Sequence, residues 1–259
     1  MNGSNLGLVD VPKNAGPSQL ASESEPAPGG SWQAAFIDDG KNTIASQLVE
    51  RLREAIVSGQ LEAGAKINLL RAREIFAVSL SPLREALARL IPDGLVTFED
   101  NRGYRVAPVS VSNLREITRL RGEFETLALR QAIASAPPEW EGDVMRALHR
   151  LNTAERNAAD PATLEHWEAL HRDFHLSLLS GCGMPLLLGF CGTLLNLNDR
   201  YRRSFLVSTS GDRNVGIEHS EIAQGAAARD AEFACARLRE HIHRTGSNLA
   251  RHLADRIAP

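Results

Sequence analysis

The stretch Ala77-Val-Ser-Leu-Ser-Pro-Leu-Arg-Glu-Ala-Leu-Ala-Arg-Leu90 decides the fold of this chain, because it combines a turn with an amphipathic helix. Four apolar residues repeat at i, i+3, i+4 and i+7 and form one stripe that can face a core: Leu83, Ala86, Leu87 and Leu90. Ser81 is a natural N-cap and Pro82 a natural first helical residue. The stretch therefore predicts the turn and second helix of a helix-turn-helix.

Arg84 falls in the first turn of the predicted helix, where the macrodipole disfavours a cation by roughly 0.3–1 kcal/mol. A cation in this position is understandable if it contacts an anion in front of the helix, and DNA is the obvious candidate. The alternative is that Arg84 and Glu85 are solvated helix charges and that the nearby serines only cap the helix.

The flanking sequence completes a winged helix-turn-helix over residues 41–109. A helix is predicted over about 43–58, with a stripe of Ile44, Leu48, Leu52 and Ile56, and a short helix near 69–76. Two strand-like runs then flank Asp100-Asn-Arg-Gly and predict a β-hairpin.

The rest of the chain predicts helices on its C-terminal side and a disordered tail on its N-terminal side. Six helices are expected in residues 110–259, over about 112–135, 138–157, 161–180, 184–206, 216–229 and 230–256. Ser112 and Asp160 are their clearest N-caps. Residues 1–40 are rich in Gly, Ser and Pro without periodicity and are expected to be disordered. The predicted fold class is mainly α, a winged helix-turn-helix followed by an all-helical bundle.

Composition limits the classes of function. The 259 residues carry a net charge of −3, and residues 41–110 hold ten Lys or Arg against eight Asp or Glu, so charge alone does not demonstrate DNA binding. No apolar run is long enough to span a membrane, and the N-terminus lacks the pattern of a signal peptide. The three cysteines have no zinc-ribbon spacing, which fits a reducing cytoplasm.

Four histidines are expected to converge inside the bundle. His171 and His175 lie four residues apart on the apolar side of one predicted helix, and His219 and His241 lie on the apolar sides of two others. A single histidine on such a face is more often a hydrogen-bonded core residue than a ligand. Burying four unpartnered imidazoles would be costly, so their convergence predicts a site for a divalent transition metal.

Three arginines are candidates for binding a carboxylate effector beside that metal. Arg121 lies on the inward stripe of the first bundle helix, although an ion pair with Glu125 at i, i+4 is an equally good interpretation. Arg200 and Arg202 flank Tyr201, so one of them can reach the cavity while the other faces away.

Two other classes of function compete with a ligand-responsive DNA-binding protein. A helical-bundle metalloenzyme is disfavoured, because paired Glu-x-x-His motifs are missing and Arg172 occupies the glutamate position of a His-Glu-x-x-His motif. The other alternative is a DNA-binding protein without an effector. A thermal-shift screen would distinguish the two, because only a ligand-responsive protein should show a large shift with one metabolite among many.

The segment from Thr43 to Pro108 resembles the winged-helix domain of GntR-type bacterial transcription regulators. The matching residues are Arg53-Glu-Ala-Ile-Val-Ser-Gly-Gln-Leu with Gly64, Val78 to Leu90, and Asp93-Gly-Leu-Val with Asn101-Arg-Gly-Tyr-Arg-Val-Ala. The resemblance implies a homodimer on double-stranded operator DNA. It places these residues at the DNA: Ser79, Leu80, Ser81, Pro82, Arg84, Arg102 and Gly103. Ala77 replaces the usual turn glycine, and Leu70 and Leu80 stand where relatives often carry polar or basic residues.

The helical remainder resembles the FCD effector domain of the FadR subfamily through Asp173-Phe-His, Glu218-His and Arg239-Glu-His. The stretches Ser81-Pro-Leu-Arg-Glu-Ala-Leu87 and Arg200-Tyr-Arg202 look most like its CsiR branch. The resemblance implies a metal held by one carboxylate and three histidines, and His171 occupies the carboxylate position. An all-nitrogen site leaves the charge of the metal uncompensated and favours Zn²⁺ or Ni²⁺. The resemblance also implies a small dicarboxylate or hydroxy-acid effector that relieves repression.

Overall fold

The computed structural model describes residues 9–10, 43–157, 160–205 and 215–257. These residues form helices and one small antiparallel sheet, which confirms the predicted fold class. The chain divides into two compact units, one ending at Val109 and the other beginning at Ser110. Within the described ranges, no helix has the length and apolar character needed to cross a membrane.

The first unit consists of a three-helix core and a small sheet. Its elements are β1 (Val9–Asp10), α1 (Ile44–Val57), β2 (Lys66–Ile67), α2 (Leu69–Phe76), α3 (Leu80–Leu90), β3 (Val96–Glu99) and β4 (Gly103–Val106). The strand order is β1-β2-β4-β3, and all neighbours are antiparallel. Strand β1 lies within the segment 1–40 that was expected to be a disordered tail, and the remainder of that segment lies outside the described residues.

Helix α1 begins after Thr43, whose hydroxyl accepts a hydrogen bond from the Ser46 backbone N–H at 3.1 Å. Its inward stripe packs against α3, but Ile44 is 49% exposed and does not belong to the core. The buried neighbour Ala45 takes that place.

Helix α3 begins two residues earlier than its sequence predicts. Ser79 is the N-cap, without a side-chain capping bond, and Leu80 is the first helical residue. Pro82 is therefore the third helical residue, where its missing N–H is harmless because the first N–H groups of a helix have no intrahelical acceptor. Arg84 becomes the fifth, beyond the first turn in which the macrodipole acts, so the macrodipole argument for Arg84 was wrong.

The second unit is built from helices alone. Its elements are α4 (Val111–Ser135), α5 (Glu139–Thr153), α6 (Pro161–Leu179), a 3-10 turn (Ser180–Cys182), α7 (Pro185–Phe205), α8 (Val215–Ala227) and α9 (Ala231–Ile257). Ser110, rather than the predicted Ser112, caps α4 by accepting from the Asn113 N–H at 3.1 Å. Asp160 caps α6 as predicted, by accepting from the Ala162 N–H.

The core of the second unit forms where α4, α5, α6, α8 and α9 meet. Helices α4 and α9 approach closely at Gly246. The absence of a side chain there makes this possible, since a Cβ would overlap the side chain of Thr118. Phe174, Leu178, Ile222 and Leu238 are fully buried in this core. The four histidines lie on these same helices.

Candidate functional site

Helix α3 buries its apolar stripe and exposes the opposite face. Ser79, Ser81 and Arg84 are exposed, while Leu80 and Pro82 are half-buried beside them. Among the described residues, Arg84 has no hydrogen bond or ion pair. The first unit therefore leaves this guanidinium available to an external anion.

The hairpin of β3 and β4 places the predicted wing residues at its tip. Arg102 is exposed and pairs with Glu99 at 3.1 Å, both within the hairpin. Asn101 and Gly103 have φ of 63° and 79°, and glycine adopts this left-handed conformation without the steric cost of a Cβ. The turn presents Arg102 away from the sheet, where a weak exposed ion pair can exchange for another anion.

In the second unit, the structure brings the four predicted histidines together. His171 and His175 come from α6, His219 from α8 and His241 from α9, and all four are buried. One ring nitrogen from each can be chosen so that the four atoms lie within 4.8 Å of one another. We call these residues the four-histidine cluster.

The cluster contains donor atoms that fit a metal ion. The buried atoms His171 Nδ1 and His175 Nε2 have no hydrogen-bond partner among the described residues. A buried polar atom without a partner is costly, and coordination to a metal would remove that cost. Zn²⁺, Ni²⁺, Co²⁺ and Cu²⁺ all accept imidazole nitrogen.

One buried and one half-buried carboxylate, of Glu125 and Glu218, lie beside the cluster. The sequence analysis did not predict that either would lie next to a histidine of the cluster. Glu218 Oε2 lies 2.8 Å from His241 Nδ1, and Glu125 Oε2 lies 3.6 Å from His175 Nδ1. Carboxylates in this position orient metal-ligating imidazoles and make them more basic. The adjacency of Glu218 to His219 was the available sequence signal.

Each of these carboxylates also binds an arginine. Arg121 Nε lies 2.5 Å from Glu125 Oε1, and Arg244 Nη1 lies 2.7 Å from Glu218 Oε1. Arg121 thus forms the i, i+4 ion pair that was one of its two interpretations. The pair is buried, so Arg121 is committed to Glu125 rather than open to a ligand.

Burial favours the neutral form of two of the four imidazoles, those of His171 and His175. Burial lowers the pKa of His171 well below its ordinary value, and Arg202 and the other three histidines add to the effect. Burial also lowers the pKa of His175, against the opposing influence of Glu125. For Glu125, burial alone would raise the pKa, but Arg121 and His175 outweigh it and hold the pKa at about 2. Neutral imidazoles are the form that binds a metal.

The other two predicted effector arginines are both buried on α7. Arg202 contacts Glu168, pairs with Asp199 at 3.2 Å, and lies 5.7 Å from the ring centre of Trp167, which stacks on His171. Arg200 is buried beside Tyr201, and burial lowers its pKa. Of the two, Arg202 is therefore the one that influences the cluster.

Comparison with known proteins agrees with this division of the chain. Residues 44–106 match the gntR family of bacterial regulatory proteins, and residues 116–244 match the FCD domain. The HTH-type transcriptional regulator BphR of Paraburkholderia xenovorans LB400 is 37% identical over 195 residues, which are 74% of this chain and 80% of that protein. The HTH-type transcriptional repressor GlaR of Escherichia coli K12 is 31% identical over 195 residues, 74% of this chain and 89% of that protein.

A solved structure shares the fold. Escherichia coli McbR/YncC superposes with a TM-score of 0.69 at 21% identity, covering 81% of this chain and 98% of that one. The two family matches, the identity with BphR and GlaR, and the winged-helix and bundle units agree with one another. The chain belongs to the GntR family of bacterial transcription regulators, with an FCD domain after its GntR domain, and is not an enzyme.

Proposed function

We propose that this chain is a metabolite-responsive repressor that binds an inverted-repeat operator as a homodimer. A small carboxylate, held at a metal in the four-histidine cluster, releases it from the operator. The observation that carries the proposal is the convergence of four buried imidazoles inside the FCD domain. GlaR, a relative in which most of the sequence aligns, is named a repressor, which favours that sign of regulation. The site of action is the bacterial cytoplasm, where the chromosome is.

The DNA-contacting residues in this proposal are Ser79, Leu80, Ser81, Pro82 and Arg84 on α3, with Arg102 and Gly103 on the wing. Arg84 can donate two hydrogen bonds to O6 and N7 of guanine, worth about 1–3 kcal/mol of discrimination. Serine hydroxyls bind phosphates or base edges, and Arg102 suits a phosphate or the minor groove. The exposure of α3 opposite its buried stripe supports this assignment.

An apolar surface on α4 and α7 supports the homodimer. Leu186 is 82% exposed and Phe190 is 58% exposed, and the Phe190 ring lies 6.1 Å from that of Phe124. The exposed Leu120 and Leu127 continue the surface along α4. Contiguous apolar patches of this kind mark protein interfaces, and a two-fold dimer would match an inverted-repeat operator. We call these five residues the α4–α7 patch.

The metal in this proposal is Zn²⁺ or Ni²⁺, held by His171, His175, His219 and His241. Four neutral nitrogen donors suit these borderline metals better than Mg²⁺ or Mn²⁺, which prefer oxygen. Glu218 orients the His241 imidazole through Nδ1, and the Glu125 carboxylate lies 3.6 Å from Nδ1 of His175. A bound metal would supply the positive charge that attracts a carboxylate ligand.

Release of the operator by the effector follows from thermodynamic linkage between the two binding sites. A carboxylate that binds more tightly to the DNA-free state than to the DNA-bound state lowers operator affinity by the same factor by which DNA lowers the affinity for the carboxylate. Of the predicted effector arginines, Arg202 acts on the charge state of His171 and Arg121 on that of His175, but Arg121 is paired with Glu125 and Arg200 is buried beside Tyr201.

A carboxylic-acid thermal-shift screen of the metal-loaded full chain tests the proposal, followed by operator release with any compound that stabilises it. We expect one chemical group of acids to raise the melting temperature and to dissociate the operator complex. His219→Ala should abolish metal content and the response, whereas His149→Ala, at an exposed position, should keep both. A parent protein that binds the operator but no metal and no acid would establish the alternative, a DNA-binding protein without an effector.

A further inference from the structure

A groove between α4 and α9 is lined by three arginines. Arg115 and Arg119 lie one turn apart on α4, and Arg251 lies near the C-terminal end of α9. The imidazole of His243 also lines the groove, but none of the four clustered histidines does. The cavity has a volume of about 440 Å³, which lies within the size range of small-molecule sites. We call it the α4–α9 groove.

Small residues on α9 make room for the groove. Gly246, Ala250 and Ala254 repeat at every fourth position and line it together with Ser247. Because these side chains are short, the long arginine side chains stand beside an open space instead of a packed contact. The α4–α9 groove therefore combines cationic groups with room for a ligand between the two helices.

The positive charge in the groove has no counter-charge among its lining residues. None of the described residues that line the groove is acidic. In the part of the chain that the structure describes, the guanidinium groups of Arg115 and Arg119 make no hydrogen bond or ion pair. The Arg251 guanidinium donates to the neutral amide of Asn248. Like charges one helical turn apart repel each other, so a bound anion would relieve the repulsion between Arg115 and Arg119.

The carboxylates nearest along the two helices do not pair with these arginines. Glu123 follows Arg119 by one turn and interacts with its charge, but Arg239 binds the Glu123 carboxylate at 2.6 Å. Glu116 and Asp255 are the other acidic residues within four positions of the three arginines, and neither forms an ion pair with any residue in the described ranges. The guanidinium groups therefore remain available to an external anion.

A phosphate group matches the three guanidinium groups better than a carboxylate does. A phosphate monoester carries about −1.5 to −2 charges near pH 7 and three acceptor oxygens, whereas a carboxylate carries a single charge and two oxygens. Arginine binds phosphate through two parallel N–H groups, and the Ser247 hydroxyl can donate as well. Val111, the first residue of α4, lines the same groove, so the positive end of the helix macrodipole adds to the attraction.

We propose that the α4–α9 groove is a second ligand site of the helical unit and binds a small molecule that bears a phosphate group. Arg115, Arg119 and Arg251 hold the phosphate, and the short side chains of α9 leave room for the rest of the ligand. The site is independent of the metal centre and of the carboxylate effector proposed above, and its failure would leave both standing.

Calorimetric titration of the full chain with inorganic phosphate and with acetate tests the inference. The parent protein should bind phosphate more tightly than acetate. Arg115→Gln and Arg119→Gln should each weaken phosphate binding by about tenfold to hundredfold, the range for losing a charge-assisted hydrogen bond. Arg150→Gln removes the same charge from an exposed position on α5 and should bind phosphate as the parent does. A parent protein that binds no phosphate, or an equal loss in all three variants, would overturn the proposal.

Two further measurements separate the groove from other places that attract phosphate. His219→Ala, which disrupts the four-histidine cluster, should keep parental phosphate binding. Loss of phosphate binding in His219→Ala but not in the arginine variants would place the phosphate at a metal and overturn the proposal. Arg115→Gln and Arg119→Gln should also bind a random DNA duplex with parental affinity. Weaker duplex binding with unchanged phosphate binding would instead assign these arginines to the DNA backbone.

Discussion

At the scale of the residue, the paired carboxylates determine how the four-histidine cluster is held. The Glu218 carboxylate accepts a hydrogen bond from His241 Nδ1, which leaves Nε2 of that ring as the atom for a metal. Arg244 fixes Glu218 in turn, at 2.7 Å. The orientation of one proposed ligand therefore depends on a residue that does not coordinate.

Glu218→Ala should weaken metal binding by about 10- to 100-fold, because His241 loses the group that orients it. Competition with a chromophoric chelator measures the affinity directly. Glu221→Ala is the matched control: it lies on the same helix and its carboxylate lies 3.9 Å from Arg237 instead. Equal metal affinity in all three proteins would contradict the role of Glu218.

The buried Glu125 predicts a pH dependence of stability. Its pKa is held at about 2, against an ordinary value of 4.5, so its contribution to folding is complete above pH 4.5 and is lost as the pH falls toward 2. The difference corresponds to about 3 kcal/mol. Urea unfolding of the metal-free parent and of Glu125→Gln at several pH values measures it. The difference in free energy of unfolding between the parent and Glu125→Gln should shrink as the pH falls. A difference that does not change with pH would contradict the lowered pKa of Glu125.

At the scale of the element, the turn between α2 and α3 carries strain at one position. Ala77 ends α2 with φ 51° and ψ 41°, and its N–H reaches the carbonyls of Arg73 and Glu74. The left-handed conformation costs an L-residue about 1–2 kcal/mol because its Cβ crowds the following carbonyl. Glycine adopts the same conformation without that cost, because it has no Cβ.

Ala77→Gly should therefore stabilise the first unit by about 0.5–1 kcal/mol, since the relief of strain exceeds the greater entropy of glycine in the unfolded chain. Chemical denaturation measures the change. Ala88→Gly is the opposite control, because Ala88 is an exposed interior residue of α3 and glycine there should destabilise by about 1 kcal/mol. Destabilisation by both substitutions would contradict the strain at Ala77.

The helices could be predicted from sequence because each buries a stripe of apolar residues with helical spacing. Their ends were harder to predict. Ser79 and Ser81 are both good N-caps, and proline is tolerated anywhere in a first turn, so periodicity could not decide where α3 begins. The inward direction of the histidines follows from spacing within one helix. The positions of the carboxylates beside them depend on how separate helices meet, which spacing within one helix does not show.

At the scale of the whole molecule, the α4–α7 patch predicts self-association. Phe190→Asp places a charge in the proposed interface and should raise the dimer dissociation constant by about a hundredfold or more, because an unpaired buried charge is costly. Light scattering over a range of protein concentrations measures this. Ile217→Asp, at a similarly exposed residue on α8, should remain dimeric. A dimer unaffected by Phe190→Asp would place the interface elsewhere.

We propose that the exposed face of α3 reads DNA and that the helical unit controls this activity. The face is defined by the buried stripe behind it, and Arg84 is its exposed guanidinium without a partner among the described residues. Arg89 lies on the same helix in its last turn, where it donates to the Ser46 hydroxyl at 3.1 Å. Comparing substitutions at these two arginines therefore distinguishes an effect on base recognition from an effect on the overall charge of the helix.

The most direct measurement is the affinity of parent, Arg84→Ala and Arg89→Ala proteins for an operator selected from a random duplex library. The parent should select an inverted repeat with half-sites about 10 base pairs apart, or a multiple of that spacing. Arg84→Ala should lose about 1–3 kcal/mol of binding per half-site, while Arg89→Ala stays close to the parent. Binding of that operator by Arg84→Ala with parental affinity and unchanged helix content would contradict the account.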